Sequence, residues 1–161
     1  MNIEYRKLLS HESSMYRMIR LESLEQFPDS FEANYQEVLN TEKLRMEIDI
    51  ENQTPEKFVF GAFADQKLIG LCTFVKDEAN SGNIYQMYVN KNFQGKNIGS
   101  GLVQAVIYEA KEKLNVTEVY LEVAHNNESA YHLYKKNGFN EIEPQNSGDE
   151  ISKVTVMKYI V

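Results

Sequence analysis

Apolar residues in this chain fall into short runs separated by polar turns, and the period of each run predicts its element. Residues 3–9 read as a strand. Ser10 and Ser13 then offer N-caps for a helix in which Met15, Met18, Ile19, Leu21 and Leu24 keep roughly helical spacing up to Pro28. Residues 31–50 continue as one or two helices rich in Glu, Leu and Met, closed by Asn52, Gln53, Thr54 and Pro55. Residues 58–64 and 68–75 are strands, and the short connection through Asp65, Gln66 and Lys67 makes them an antiparallel hairpin.

A turn cluster at residues 80–83 leads into a strand at 84–89. Leu102, Val103, Val106, Ile107, Ala110 and Leu114 then recur with helical spacing, just after a glycine-bearing loop. Residues 119–123 form a further strand, and 129–137 a short helix closed by Gly138 at the C′ position. Late strands are expected at 139–142 and 152–159. A helix of a dozen or more residues bridges the strands at 84–89 and 119–123, so these two run parallel with a right-handed crossover. The order predicts a mixed α/β fold, and 161 residues without repeat or linker predict one domain spanning 1–161.

Charge sharpens this picture. The chain carries 17 basic and 24 acidic residues, net −7, which is not the footprint of a nucleic-acid binder. Residues 1–60 hold 7 basic and 12 acidic side chains, whereas residues 79–108 contain Lys91 and Lys96 and no Asp or Glu. Such an acid-free window in an acidic protein is a plausible seat for an anion, although buried strands are also poor in charge. The apolar runs fall far short of the ~18–20 residues that span a bilayer, so no membrane partner is expected. A single cysteine, Cys72, excludes an intrachain disulfide framework and a multi-Cys metal site, and makes a reducing, cytoplasmic setting the default. No metal is expected from His11, His125 or His132, whose spacing matches no ligand pattern.

Candidate chemistry sits between the strand at 84–89 and the long helix, in Gln94, Gly95, Lys96, Asn97, Ile98, Gly99, Ser100 and Gly101. Unpaired backbone N–H groups at a helix start, at the positive end of its dipole, suit a phosphate when the residues are small enough to let it approach. The loop is not a Walker loop, which would need Gly at 100 and Lys at 101. It is also an incomplete dinucleotide fingerprint, because Gln104 stands where a third small residue belongs. Glycine at a strand–helix junction serves tight turns equally well, so the loop alone leaves structure and function open.

A downstream segment is more specific. Asn127 to Phe139 reads N-x-x-A-x-x-L-Y-x-x-x-G-F, and Gln94 to Gly99 supplies Q-x-x-N-x-G upstream of it. With these two motifs the chain resembles the GNAT superfamily of acyl-CoA-dependent N-acetyltransferases. The specific resemblance lies in residues 84–139; Asn97 replaces the first glycine of the family loop and Lys91 a common proline. Asn is the non-glycine residue most tolerant of a left-handed backbone.

The resemblance implies a GNAT-like fold, a mixed sheet of six to seven strands flanked by helices, with acetyl-CoA between two splayed parallel strands. It makes residues 84–139 the acetyl-CoA core and residues 1–56 the helical acceptor side. It assigns the pantetheine arm to the backbone of Met87, Tyr88 and Val89. The pyrophosphate falls to Gly95, Lys96, Asn97, Ile98, Gly99 and Ser100 following Gln94, and a further contact to Asn127. Tyr134 is then the general acid for the departing thiolate. Glu122 is the candidate base: Val119, Leu121 and Val123 share one face of their strand, leaving Tyr120 and Glu122 on the other. A carboxylate in a parallel strand buried on both faces either reaches an opening or is paired, so a salt bridge competes with that role.

The expected activity is transfer of acetyl from acetyl-CoA to a primary amine of a small molecule or peptide, by direct attack in a ternary complex. Rivals are a non-catalytic acyl-CoA sensor and, less well supported, a nucleotide-dependent oxidoreductase. Cys72, in an apolar strand, reads as packing rather than as an acyl carrier. A homodimer through an edge strand is compatible with the pattern.

Overall fold

The computed structural model describes residues 2–26, 35–142 and 154–161. These form one seven-stranded sheet in the order β1-β2-β3-β4-β5-β7-β6. The strands are β1 (Ile3–Lys7), β2 (Lys57–Ala64), β3 (Lys67–Lys76), β4 (Ser81–Val89), β5 (Glu118–Ala124), β6 (Asn140–Glu141) and β7 (Val154–Ile160). Helices α1 (Ser13–Gln26), α2 (Tyr35–Asn40) and α3 (Arg45–Asn52) precede β2, α4 (Ile98–Leu114) joins β4 to β5, and α5 (Glu128–Lys136) follows β5. All neighbours are antiparallel except β4 and β5, which are parallel as the crossover through α4 requires.

The strand β2 shows why the central strands read as continuously apolar. Phe58, Phe60, Ala62 and Ala64 turn to the side covered by α4, where Leu102, Val103, Val106 and Ala110 meet them, while Val59 and Phe63 turn to the opposite side against Tyr16, Ile19 and Ile50. Both faces are covered, so alternation carries no polar residues. The β2–β3 connection is a two-residue turn with Asp65 and Gln66 both at positive φ (48° and 74°), and Lys67 already pairs with Ala64.

Three expectations shift. Residues 81–83 belong to β4 rather than to a turn, because Gly82 lies against the Phe74 ring and pairs with Val119, so only Asn80 turns. Neither Ser10 nor Ser13 caps α1: Ser10 opens a single 3-10 turn (Ser10–Glu12), and both hydroxyls donate to Glu51 instead. The region expected as one or two helices contains α2 and α3, with residues 31–34, like Pro28 and the expected strand start at 152–153, outside the described residues.

The N-cap work at this corner is done by Glu12. Its Oε1 accepts from the Leu9 N–H at 2.7 Å, and both oxygens accept from the Arg6 guanidinium at 2.8 Å, which also stacks 4.0 Å over the Phe63 ring. Hydrogen bonding to Arg6, against the cost of burial, holds the carboxyl down at about 2 instead of 4.5. This stabilisation is complete above pH 4.5 and is lost as pH falls toward 2. With Arg6 partly exposed to screening water, it is worth on the order of 2 kcal/mol. Glu12→Gln therefore lowers the thermal midpoint at pH 7 by roughly 4–8 °C and leaves that at pH 3 much closer to wild type, as scanning calorimetry at both pH values will read.

Candidate active site

The site begins where a sheet fails to continue. The strands β4 and β5 pair only from Ser81–Glu118 to Asn83–Tyr120, and beyond that the two diverge. The cause lies in β4, where register against β3 slips between Leu71–Tyr88 and Thr73–Tyr85, leaving two residues, Gln86 and Met87, opposite Cys72. Gln86 takes φ 55°, a β-bulge that bends the strand away from its neighbour. Its Oε1 accepts from the Tyr16 hydroxyl at 2.7 Å and the Thr73 hydroxyl at 3.2 Å, so α1 and β3 together hold the bulge.

The gap opens into a cleft of about 1580 Å³ lined from β4, β5, α4, α5 and the N-terminal helices. The Asn90 N–H donates to Ile69 of β3. By alternation Tyr88 also faces β3, whereas the polar backbone groups of Met87 and Val89 turn toward the gap. On that side Val89 O accepts from Gln94 Nε2 at 2.9 Å, so Gln94 acts as a brace for the strand end.

At the mouth of the gap stands the start of α4. Among the described residues no hydrogen bond satisfies the backbone N–H groups of Gly95, Lys96, Asn97, Ile98, Gly99 or Ser100; the first pairing N–H of the helix is that of Gly101, to Asn97 O at 3.1 Å. Six adjacent unpartnered donors thus stand at the positive end of a 17-residue helix, an arrangement that suits a polyanion. Asn97 adopts φ 62°, ψ 18°, so the left-handed geometry survives the loss of glycine; Gly95 (φ 79°) has open space where a Cβ would stand. Gly101 has a different reason to be small, because a Cβ there would meet the Tyr5 ring at 2.2 Å. Ser100 is buried and its hydroxyl accepts from Asn137 Nδ2 at 3.0 Å. Lys96 lies over the Phe93 ring at 5.5 Å, and Lys136 of α5, which sequence reasoning missed, donates to Asn97 Oδ1 at 3.2 Å. Asn127 caps α5, accepting from the Ala130 N–H at 3.1 Å, and lines the cleft.

Tyr134 reaches the same cleft from α5. Its ring is buried against Phe139, with centroids 5.7 Å apart, and its hydroxyl makes no hydrogen bond among the described residues. Burial pushes its pKa well above the ordinary 10.0, with Cys72 adding to the rise. The thiol of Cys72 is itself fully buried and pushed up by burial, the opposite of what a nucleophile needs. Glu122 lines the cleft from β5 and is exposed, which corrects the premise of a strand buried on both faces: the divergence from β4 has uncovered it. It makes no ion pair or hydrogen bond among the described residues, while Glu118, four positions earlier, accepts from the Tyr120 hydroxyl at 2.7 Å and lies 3.6 Å from Lys158. The salt-bridge alternative thus fits Glu118 rather than Glu122. The remaining lining, contributed by Arg20, Met46, Thr73, Gln86 and Tyr85, carries no motif, and its residues come from four separate segments of the chain.

The same pattern recurs in known proteins. The sequence profile of the Acetyltransferase (GNAT) family matches residues 18–139. The chain belongs to that family. It is 40% identical over 62 residues, 38% of this chain and 37% of that protein, to an N-alpha-acetyltransferase of Sulfurisphaera tokodaii, so the match spans little more than a third of that relative. It is 33% identical over 104 residues to the [ribosomal protein bS18]-alanine N-acetyltransferase of Haemophilus influenzae, covering 60% of this chain and 68% of the relative. A spermidine N(1)-acetyltransferase of Thermoplasma acidophilum is 31% identical over 115 residues, 71% and 70% of the two chains. Among solved structures, a GNAT-family acetyltransferase from Streptococcus pneumoniae superposes with a TM-score of 0.81 at 22% identity, over 99% of this chain and 100% of that one. The PaiA N-acetyltransferase of Thermoplasma acidophilum, in complex with coenzyme A, gives 0.76 at 24% identity over 100% of both chains. The expected GNAT fold is therefore the observed one.

The backbone at Asn97 gives a direct test of the loop. Asn97→Gly should leave stability within about 0.5 kcal/mol, whereas Asn97→Val, a β-branched residue at positive φ, should cost about 1–2 kcal/mol, read by chemical denaturation. Equal stability of both variants would mean that the loop does not hold its left-handed turn.

Proposed function

We propose that the protein transfers an acetyl group from acetyl-CoA to a primary amine by direct attack in a ternary complex. The observation that carries this reading is the run of six unpartnered N–H groups at the start of α4, set at the mouth of a gap whose wall includes Tyr134. A pyrophosphate suits those donors, with Lys96 and Lys136 as nearby cations. The turned-out backbone of Met87 and Val89 suits an extended arm with amides of its own, which would add to β4 as a short strand. The solved relative holding coenzyme A supports the same cofactor here.

In this mechanism the acceptor ammonium first gives a proton to Glu122, directly or through water, because an amine of pKa ~10 is mostly charged at neutral pH and its lone pair is then unavailable. The neutral nitrogen attacks the thioester carbonyl, and the oxygen that gains charge faces the Met87 N–H. Collapse breaks the carbon–sulfur bond, the thiolate takes the proton of Tyr134, and the nitrogen gives up its second proton, which returns through water to the phenolate as the neutral amide forms. The raised pKa of this tyrosine keeps it protonated, hence competent as a donor, across the working range. A buried single thiol and an anionic surface fit a cytoplasmic enzyme acting on amines rather than on nucleic acid.

Calorimetry tests the cofactor: acetyl-CoA binds with an affinity that weakens as salt rises, and NADH does not bind. The opposite selectivity overturns the reading. Tyr134→Phe lowers kcat by roughly 10²–10⁴-fold with little change in acetyl-CoA affinity. The wild-type pH–rate profile shows no falling limb from Tyr134 below pH 10.0, since its pKa lies above that ordinary value. Glu122→Gln lowers kcat/KM while keeping the thermal midpoint, because no partner among the described residues is lost. A variant that keeps the wild-type rate removes Glu122 from proton transfer.

A further inference from the structure

The motif-free part of the cleft lining includes side chains that can donate. Gln86 is the clearest case, because its Oε1 is already occupied by the Tyr16 and Thr73 hydroxyls, at 2.7 and 3.2 Å. As placed, the carboxamide turns its Nε2 away from that pair. The Nε2 group remains, neither buried nor hydrogen-bonded among the described residues, on a side chain that lines the cleft. An amide held this way offers N–H donors and nothing else. Arg20, 6% exposed, lines the same cleft and donates to Ser23 Oγ at 3.5 Å. Glu122 is the single carboxylate among the described residues that line the cleft. An ammonium group set against Gln86 Nε2 would find no acceptor there, whereas an acceptor with an oxygen beside its amine would meet that donor correctly. Gln86 immediately precedes Met87, the proposed oxyanion donor, so an oxygen bound at Nε2 belongs to atoms adjoining the reacting amine rather than to a distant tail.

We infer that Gln86 is a specificity-determining residue, and that the acceptor is an α-aminoacyl group, an amine whose neighbouring carbon bears a carbonyl or carboxylate taken by Gln86 Nε2. This rests on the proposed acetyltransferase activity and narrows its acceptor. The bulge then has two roles. It parts β4 from β5, and it places the Gln86 side chain in the lining of the cleft so made.

The test compares matched acceptors on two enzymes by thiol release: leucinamide against isoamylamine, which lacks the carbonyl, with free leucine and a leucyl tripeptide to separate amino-acid from peptide sources, and spermidine as the cationic alternative. Gln86→Glu keeps an oxygen for each hydroxyl and removes the Nε2 donor, and a melting curve checks that it folds. Gln86→Leu is the second variant. The expected result is a wild-type preference for leucinamide over isoamylamine. In Gln86→Glu, kcat/KM for leucinamide falls roughly tenfold to a hundredfold and that for isoamylamine changes little, so the preference collapses. Because each acceptor is compared with itself across enzymes, differences in amine pKa cancel. An equal fall for both acceptors, as expected of a residue that only shapes the strand, overturns the inference, as does wild-type turnover of spermidine with none of leucinamide. Should no amine release thiol at all, the transferase reading falls and the inference with it; turnover of isoamylamine and leucinamide at equal rates sinks the inference alone.

Discussion

The bulge at Gln86 is the constraint on which the rest of the site depends. A non-glycine residue at φ 55° within a strand is unfavourable by about 1–3 kcal/mol, and it persists only where the surroundings over-determine it. Here they do so through two hydroxyl donors from different layers, Tyr16 in α1 and Thr73 in β3. Burial pushes the Tyr16 phenol up to about 12, so it remains a donor to Gln86 under all ordinary conditions. Without the bend β4 and β5 would pair along their full length, and the polar groups of Met87 and Val89 would be consumed by the sheet. The N-terminal helices thus shape the cleft from the far side of the sheet.

Parting two strands inside a sheet leaves backbone groups without partners, which proteins rarely tolerate away from water. The structure confines that deficit. The other edges of both strands are satisfied, β4 by β3 and β5 by β7 over seven residue pairs, so only the facing edges are left open. The loop before α4 repeats the arrangement: its N–H groups are unpaired because a helix start cannot pair them, and Asn97 and Gly95 turn the chain there at positive φ. Both features are unfinished secondary structure that an extended, anionic ligand can complete.

Local pattern reveals the elements that local pattern controls. The α4 stripe, the hairpin, the α5 signature and the αL tolerance of Asn97 were legible because each depends on residues within one or two turns of chain. What stayed hidden depends on distant partners. Nothing near Gln86 announces a bulge, because the groups that hold it lie 13 and 70 positions away. Gly101 looked like part of a phosphate loop, whereas its smallness answers to Tyr5 of β1. Ser100 looked available and is bound to Asn137, and Glu122 looked buried because the strand divergence that exposes it depends on the unseen bulge.

Electrostatics link these pieces along one path. Positive potential is concentrated at one end of the cleft, from the α4 terminus with Lys96 and Lys136, and the nearest 30-residue stretch of sequence carries no acid to oppose it. In an otherwise acidic chain this gives a polyanion one preferred orientation, phosphates at the loop and the remainder drawn between the strands. The middle of the path is kept neutral by a tyrosine whose burial holds its proton in place. Glu122 is exposed and lines the same cleft, where on the proposed mechanism an ammonium group arriving from solvent would meet negative charge. On that reading the cleft offers cationic and anionic ends to an anionic donor and a cationic acceptor.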